Sequence, residues 1–131
     1  MDLTQVQTTI IDTLTAAGIS KVVGWEVKDP APPVVVVCPA LPSIETDVPG
    51  VTHGKPFMTN WLIQIVAGRG SASVTRDALN DLIARSLIAL RPYMTGIEVE
   101  TPKLTDPEEG KPQYLGAEIA ASIAIDMKKE V

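Results

Sequence analysis

The sequence predicts an α+β domain in which a four- to five-stranded mixed or antiparallel sheet carries two amphipathic helices on one face and is joined by long proline-rich loops. Three observations predict it. In the closing segment Leu115, Ala117, Ile119, Ala121, Ile123, Ile125 and Met127 put an apolar residue at every second position, the period of a strand with one face in a core. The segment FMTNWLIQIVAGR repeats that period, with Phe57, Trp61, Ile63, Ile65 and Ala67 on one side. Two other segments space apolar residues three and four apart, as amphipathic helices do. Two helices cannot cover both faces of such a sheet. The bare face is expected to be solvated or buried against another copy, and the interleaved row of Gly116, Ala120, Ser122 and Ala124 favours close packing there.

Taken in order, the first helix is expected from about Leu3 to Ala17, with Leu3, Val6, Ile10, Leu14 and Ala17 as its stripe, Asp2 and Gln5 as a capping box and Gly18 as its stop. KVVGWEV reads as a short strand ending at Asp29-Pro30. VVVVC, between Pro33 and Pro39, reads as a second strand, apolar on both faces, whose flanking prolines confine its pairing to a short stretch. From Pro42 to Pro56 there is no periodicity, so a long loop is expected, of the kind that carries function or is disordered. FMTNWLIQIVAGR is then the central strand. After a tight GRGS turn a second helix is expected from Ser73 to Leu90, its inner face formed by Ala78, Leu79, Leu82, Ile83, Ser86 and Leu90 and its end set by Arg91-Pro92. GIEVE is a short strand, and TPKLTDPEEGKPQ, with Pro102, Pro107, Gly110 and Pro112, a long acidic hairpin loop leading into the last strand.

With 131 residues the chain suits one domain, residues 1–131. Its 45% apolar content excludes a disordered chain, while no apolar run approaches the ~20 residues that span a bilayer. MDLTQVQTT has neither the basic nor the apolar region of a secretory signal, and the single Cys38 allows no internal disulfide, so a soluble protein of a reducing cytoplasm is expected. The net charge of −5 is spread along the chain with no basic patch, which excludes tight binding to a phosphate backbone.

Catalytic constellations are missing from the sequence. His53 is the sole histidine, read as an ordinary loop residue, and Cys38 as a small buried hydrophobe. GVTHGKP has three residues where a phosphate loop has four between Gly50 and Gly54, and Pro56 stands where that loop needs a hydroxyl. The glycines of Gly68-Arg69-Gly70 serve a strand-to-helix turn by geometry alone. Asp106, Glu108 and Glu109 lack the alternating ligand order of a calcium loop and read as a solvated acidic tip. No catalytic, cofactor or metal site is therefore expected. The alternatives from other classes are a small-molecule-binding α+β enzyme and a monomeric adaptor.

An amphipathic helix leading into the proline-flanked PPVVVVCPALP, then FMTNWLIQIVAGRG followed directly by the helix RDALNDLIARSLIAL, then the closing pair GIEVE and QYLGAEIAASIAI, cover almost the whole chain. In that order they resemble the tail terminator proteins of long-tailed, siphovirus-type bacteriophages, particularly those of actinobacteria. The resemblance implies a structural virion protein and not an enzyme, assembled in the host cytoplasm and placed in the tail and neck. It implies a homo-hexameric ring on the head-proximal end of the tail tube, which ends tube polymerisation and offers the joining surface to a head-completion or stopper protein. DNA would pass through without specific binding, and neither cofactor nor membrane is implied. Another neck or head-closure connector is the alternative in the same class. The two long loops, the turn after the central strand and the last strand supply the candidate subunit and tube contacts: Asp47, His53, Lys55, Arg69, Glu108, Glu109, Lys111, Ala120 and Ala124. Arg69, Arg76, Arg85 and Arg91, on or beside the second helix, are expected to pair with acids of a neighbouring subunit or tube protein.

Overall fold

In the computed structural model, which describes residues 2–28, 30–46, 57–70, 72–105 and 112–125, the chain runs α1 (Leu3–Ala16), β1 (Val22–Gly24), β2 (Val34–Glu45), β3 (Phe57–Arg69), α2 (Ser73–Leu90), β4 (Thr95–Val99), β5 (Lys103–Leu104) and β6 (Tyr114–Ile125). The start of α1 is fixed by side chains. The Gln5 backbone N–H donates to Asp2 Oδ1 and the Asp2 N–H to Gln5 Oε1, both at 2.8 Å, so two of the donors that a helix start leaves unpaired are satisfied reciprocally. Just past the other end Gly18 sits at φ 90, a left-handed conformation that favours glycine.

The sheet order is β1-β2-β3-β6-β4, with β5 continuing beyond β4 along the same edge of β6. β1 is parallel to β2, and every other pairing is antiparallel, which makes the sheet mixed. Because β3 and β4 are both antiparallel to β6, they are parallel to each other, and α2 joins them across the position that β6 fills. This is a split β-α-β unit. α2 packs on β3 and β6, α1 packs on β1 and β2, and the helices touch each other, so both lie on one face.

That face holds the core. Trp61, Ile63, Ile65 and Ile119 meet Val6, Ile10 and Leu14 of α1 and Leu79 and Leu90 of α2, with Val35 and Val37 of β2 completing the layer. The expected alternation of the two long strands is observed, and Thr59 joins the inner set with none of its surface exposed. Burying Thr59 is tolerated because its hydroxyl is used twice: Trp61 Nε1 donates to it at 2.9 Å, and it donates to the Ile123 carbonyl at 2.9 Å. Ser86, equally buried on the inner face of α2, has no hydrogen-bond partner for its hydroxyl among the described residues.

Several boundaries differ from the sequence reading, each for a physical reason. The sheet has six strands because Lys103–Leu104, inside the expected hairpin loop, pairs with Gly116 and Leu115 of β6. β2 does not stop at Pro39 but continues to Glu45, with a bulge between Pro39 and Ile44. Beyond Val37 β1 no longer flanks it, so Pro39 and Pro42 fall on a stretch with a free edge, where a missing N–H costs no ladder bond on that side. β1 spans only three residues, and Trp25 and Val27 behind it are exposed. Arg85 is committed within its own chain: its Nε donates to Asp81 Oδ2 at 2.8 Å and its Nη1 to the Ala17 carbonyl at 3.4 Å, tying α2 to the end of α1.

The two buried hydroxyls are expected to respond oppositely to removal. Thr59→Val strands the Trp61 indole N–H and should cost about 1–3 kcal/mol, whereas Ser86→Ala removes an unpaired group and should gain about 1 kcal/mol. Urea denaturation midpoints of the two variants against the parent protein check both signs.

Candidate assembly interface

The cross-strand register defines the face that the helices leave bare. Reading across the ladders, Val23, Val36, Gln64 and Glu118 form one row, and Cys38, Leu62, Ala120 and Glu98 the next. On one side of these lie Val34, itself buried, with Val66, Gly116 and Lys103, on the other Asn60 with Ser122 and then Met58 with Ala124. These residues alternate with the core set, and none belongs to the core cluster beneath the helices. The face is therefore mixed: Val36, Cys38, Leu62, Val66 and Met58 are apolar, Gly116, Ala120, Ser122 and Ala124 are small, Gln64 and Glu118 stand among them on the two central strands, and Glu98 and Lys103 lie at the β4-β5 edge. Most of its side chains are half-buried by their own neighbours in the sheet.

A polar chain crosses one end of this surface. Ser122 Oγ donates to Asn60 Oδ1 at 2.6 Å, and Asn60 Nδ2 donates to the Pro42 carbonyl at 3.0 Å and to Glu45 Oε1 at 2.7 Å. Three strands are joined in this way, and the bulge of β2 is tied to the bare side of the sheet. Bonds of this kind contribute about 1 kcal/mol each, more where a carboxylate accepts. Their larger effect is to hold Pro42 and Glu45 in one place.

Gly116 is required by the backbone. A Cβ there would lie 2.6 Å from the Ile65 carbonyl oxygen, beside the register shift between Val66 and Gly68. Its lack of a side chain also deepens a groove of about 210 Å3 next to it, where residues 100–102 leave the sheet between β4 and β5 and Leu104, Tyr114 and Val66 form apolar walls. That volume is below the roughly 300–1,000 Å3 of small-molecule sites.

Cys38 is half-buried on the bare face and not in the core, which corrects the sequence reading. Its Sγ lies 3.8 Å from Gln64 Oε1, and desolvation, reinforced by the negative charges of Glu118 and Glu26, pushes the thiol up from its ordinary value. It is protonated at neutral pH and correspondingly a poor nucleophile.

No family model matches the chain, and no curated protein matches it. Among the described residues no group of three His, Cys, Asp or Glu side chains is placed to hold a metal ion, and no helix is long and apolar enough to cross a membrane.

Of the interface residues picked out from the sequence, Ala120 and Ala124 lie on the bare face, and Arg69 ends β3 opposite Tyr114. Asp47, His53, Lys55, Glu108, Glu109 and Lys111 lie outside the described residues. The sequence reading missed the Asn60 chain. Asn60 beside Thr59 in a mostly apolar strand was the available signal, but its partners are 62 residues and 15–18 residues away, so only pairing reveals them.

Cys38 should alkylate more slowly at pH 8 than free cysteine. Because its folded pKa lies above the ordinary 9.0, the unfolded thiol ionises first on raising the pH. The stability tied to the protonated thiol is thus present below about pH 9 and lost as the pH climbs towards the folded value. Cys38→Ser should flatten the alkaline limb of a melting-temperature profile.

Proposed function

We propose that this chain is a structural assembly protein that closes into a ring on the head-proximal end of a phage tail tube, ending tube growth and presenting a joining surface to the head. The observation that carries the reading is the one-sided architecture. Two helices fill one face of a six-stranded sheet, and the other face keeps a row of small side chains, Gly116, Ala120, Ser122 and Ala124, flanked by Leu62, Val66 and Met58. Gln64 and Glu118 interrupt this row, but a helix-free sheet face with this much apolar and small side chain is a surface for another protein to cover. The edges of β1 and of β4 with β5, which pair with no further strand among the described residues, need the same protection, and ring closure gives it without open-ended pairing.

The charge supports the same reading. Each subunit carries −5, so a hexameric ring is strongly anionic and repels the DNA that passes through it. The resemblance to tail terminators supplies the specific place in the particle, and the one-sided sheet supplies the reason to assemble.

Negative-stain images of the purified protein, alone and mixed with tail tubes, should contain closed rings, free or capping tube ends. Ala120→Trp and Ala124→Trp should abolish the rings while shifting the urea midpoint little, since both positions are on the bare face. Unfolding of both variants, or uniform monomers beside uncapped tubes for the parent protein, would refute the proposal. Electrophoretic mobility of duplex DNA should be unchanged by the protein at physiological salt.

A further inference from the structure

The bulge of β2 lifts one apolar side chain clear of the protein. Leu41 is 99% exposed, more than any other large apolar side chain among the described residues. It is not on a loose turn: Asn60 grips the Pro42 carbonyl directly after it and Glu45 at the end of the strand, and Ser122 fixes Asn60. Asn60 and Ser122 belong to the bare face, so the bulge leans to that side of the sheet. Holding an isolated leucine in water on a braced support has no folding benefit.

On the opposite layer, α1 and α2 leave a broad groove of about 530 Å3. Its floor is made of small residues, Ala16, Ala17 and Ala89, and its flanks carry Ile88 and Tyr93, which are 76% and 63% exposed. We infer that Leu41 of one copy seats in the α1-α2 groove of the next, so that the bare sheet face of each subunit is covered by the helix layer of its neighbour. The inference rests on the ring-forming reading and specifies its contact.

Three observations favour a second copy in this arrangement. The hollow between α1, Leu90 and Ile123 measures about 50 Å3, too small for a leucine side chain, and the groove beside Gly116 is rimmed by Glu100, Lys103 and Glu118, whose desolvation would oppose apolar docking. The α1-α2 groove has one charged side chain in its lining, Asp12. Charge also matches: exposed Glu45 ends β2 just past the bulge, and exposed Arg91 is the chain neighbour of Pro92, which lines the groove. Knob and groove lie on opposite layers of one subunit, so the contact is heterologous, the type that generates rings when its rotation closes.

Leu41→Glu and Ile88→Glu test this, because both side chains are exposed and neither substitution touches the core. In sedimentation velocity the parent protein should form rings, and each variant alone should be monomeric, with association weakened about thirtyfold or more as for the loss of an interface anchor. An equimolar mixture of the two variants should form dimers and nothing larger. The Ile88→Glu copy keeps its knob and the Leu41→Glu copy keeps its groove, which leaves one good contact per pair. Parent rings that persist in Leu41→Glu would overturn the inference and leave the ring reading standing. A mixture that stays monomeric would overturn the heterologous pairing, and a parent protein that is monomeric with and without tail tubes would remove both readings. Urea midpoints within error of the parent value, compared at a protein concentration low enough for the parent to be dissociated, confirm that the variants fold.

Discussion

The insertion of β6 between β3 and β4 is the constraint on which the rest of the structure depends. α2 leaves the end of β3 and must return to the sheet two positions away, because the neighbouring position is taken by the last strand of the chain. Crossing that gap puts α2 on the face where Ile119 and Ala121 point, and α1 packs beside it through Val6, Ile10 and Leu14. With both helices committed to one side, no helix is left to pack on the other. The one-sided sheet is thus a consequence of topology as much as of composition.

The bare face is built differently from the core it backs. Beneath the helices, large β-branched and aromatic side chains interlock and the few polar atoms are mostly paired, as in the Trp61, Thr59, Ile123 chain. On the other side many side chains are small, as at Gly116, Ala120, Ser122 and Ala124 of β6, and hydrogen bonds run sideways from Ser122 through Asn60 to β2. Small side chains on a braced backbone let another protein approach closely at little entropic cost. The same sideways bonds brace the bulge that carries Leu41, so the face and its one projection are a single mechanical unit.

Electrostatics plays a supporting part. Arg85 is bonded inside the subunit, to Asp81 and to the end of α1. Among the described residues it forms the one ion pair, an exposed i,i+4 pair of the type worth a few tenths of a kcal/mol. The helix layer is consequently held to the sheet by apolar burial, and charge is left to act on approach and orientation between molecules.

The two long strands, both helices, the capping box and the existence of an uncovered face were legible in the sequence, because periodicity and caps are local signals that survive without partners. The bare face was readable as a row of small residues in β6 for the same reason. Strand order, the pairing of Lys103–Leu104, the run of β2 through two prolines and the exposure of Leu41 were not. Each depends on which strand lies alongside: a proline is harmless on a free edge, Cys38 is half-exposed because its side of β2 faces away from the helices, and Asn60 finds its partners only across the sheet. The sequence by itself determined which residues seek burial and at what period. Tertiary structure decided which face they share and what is left uncovered, because both are set by contacts between segments far apart in the chain.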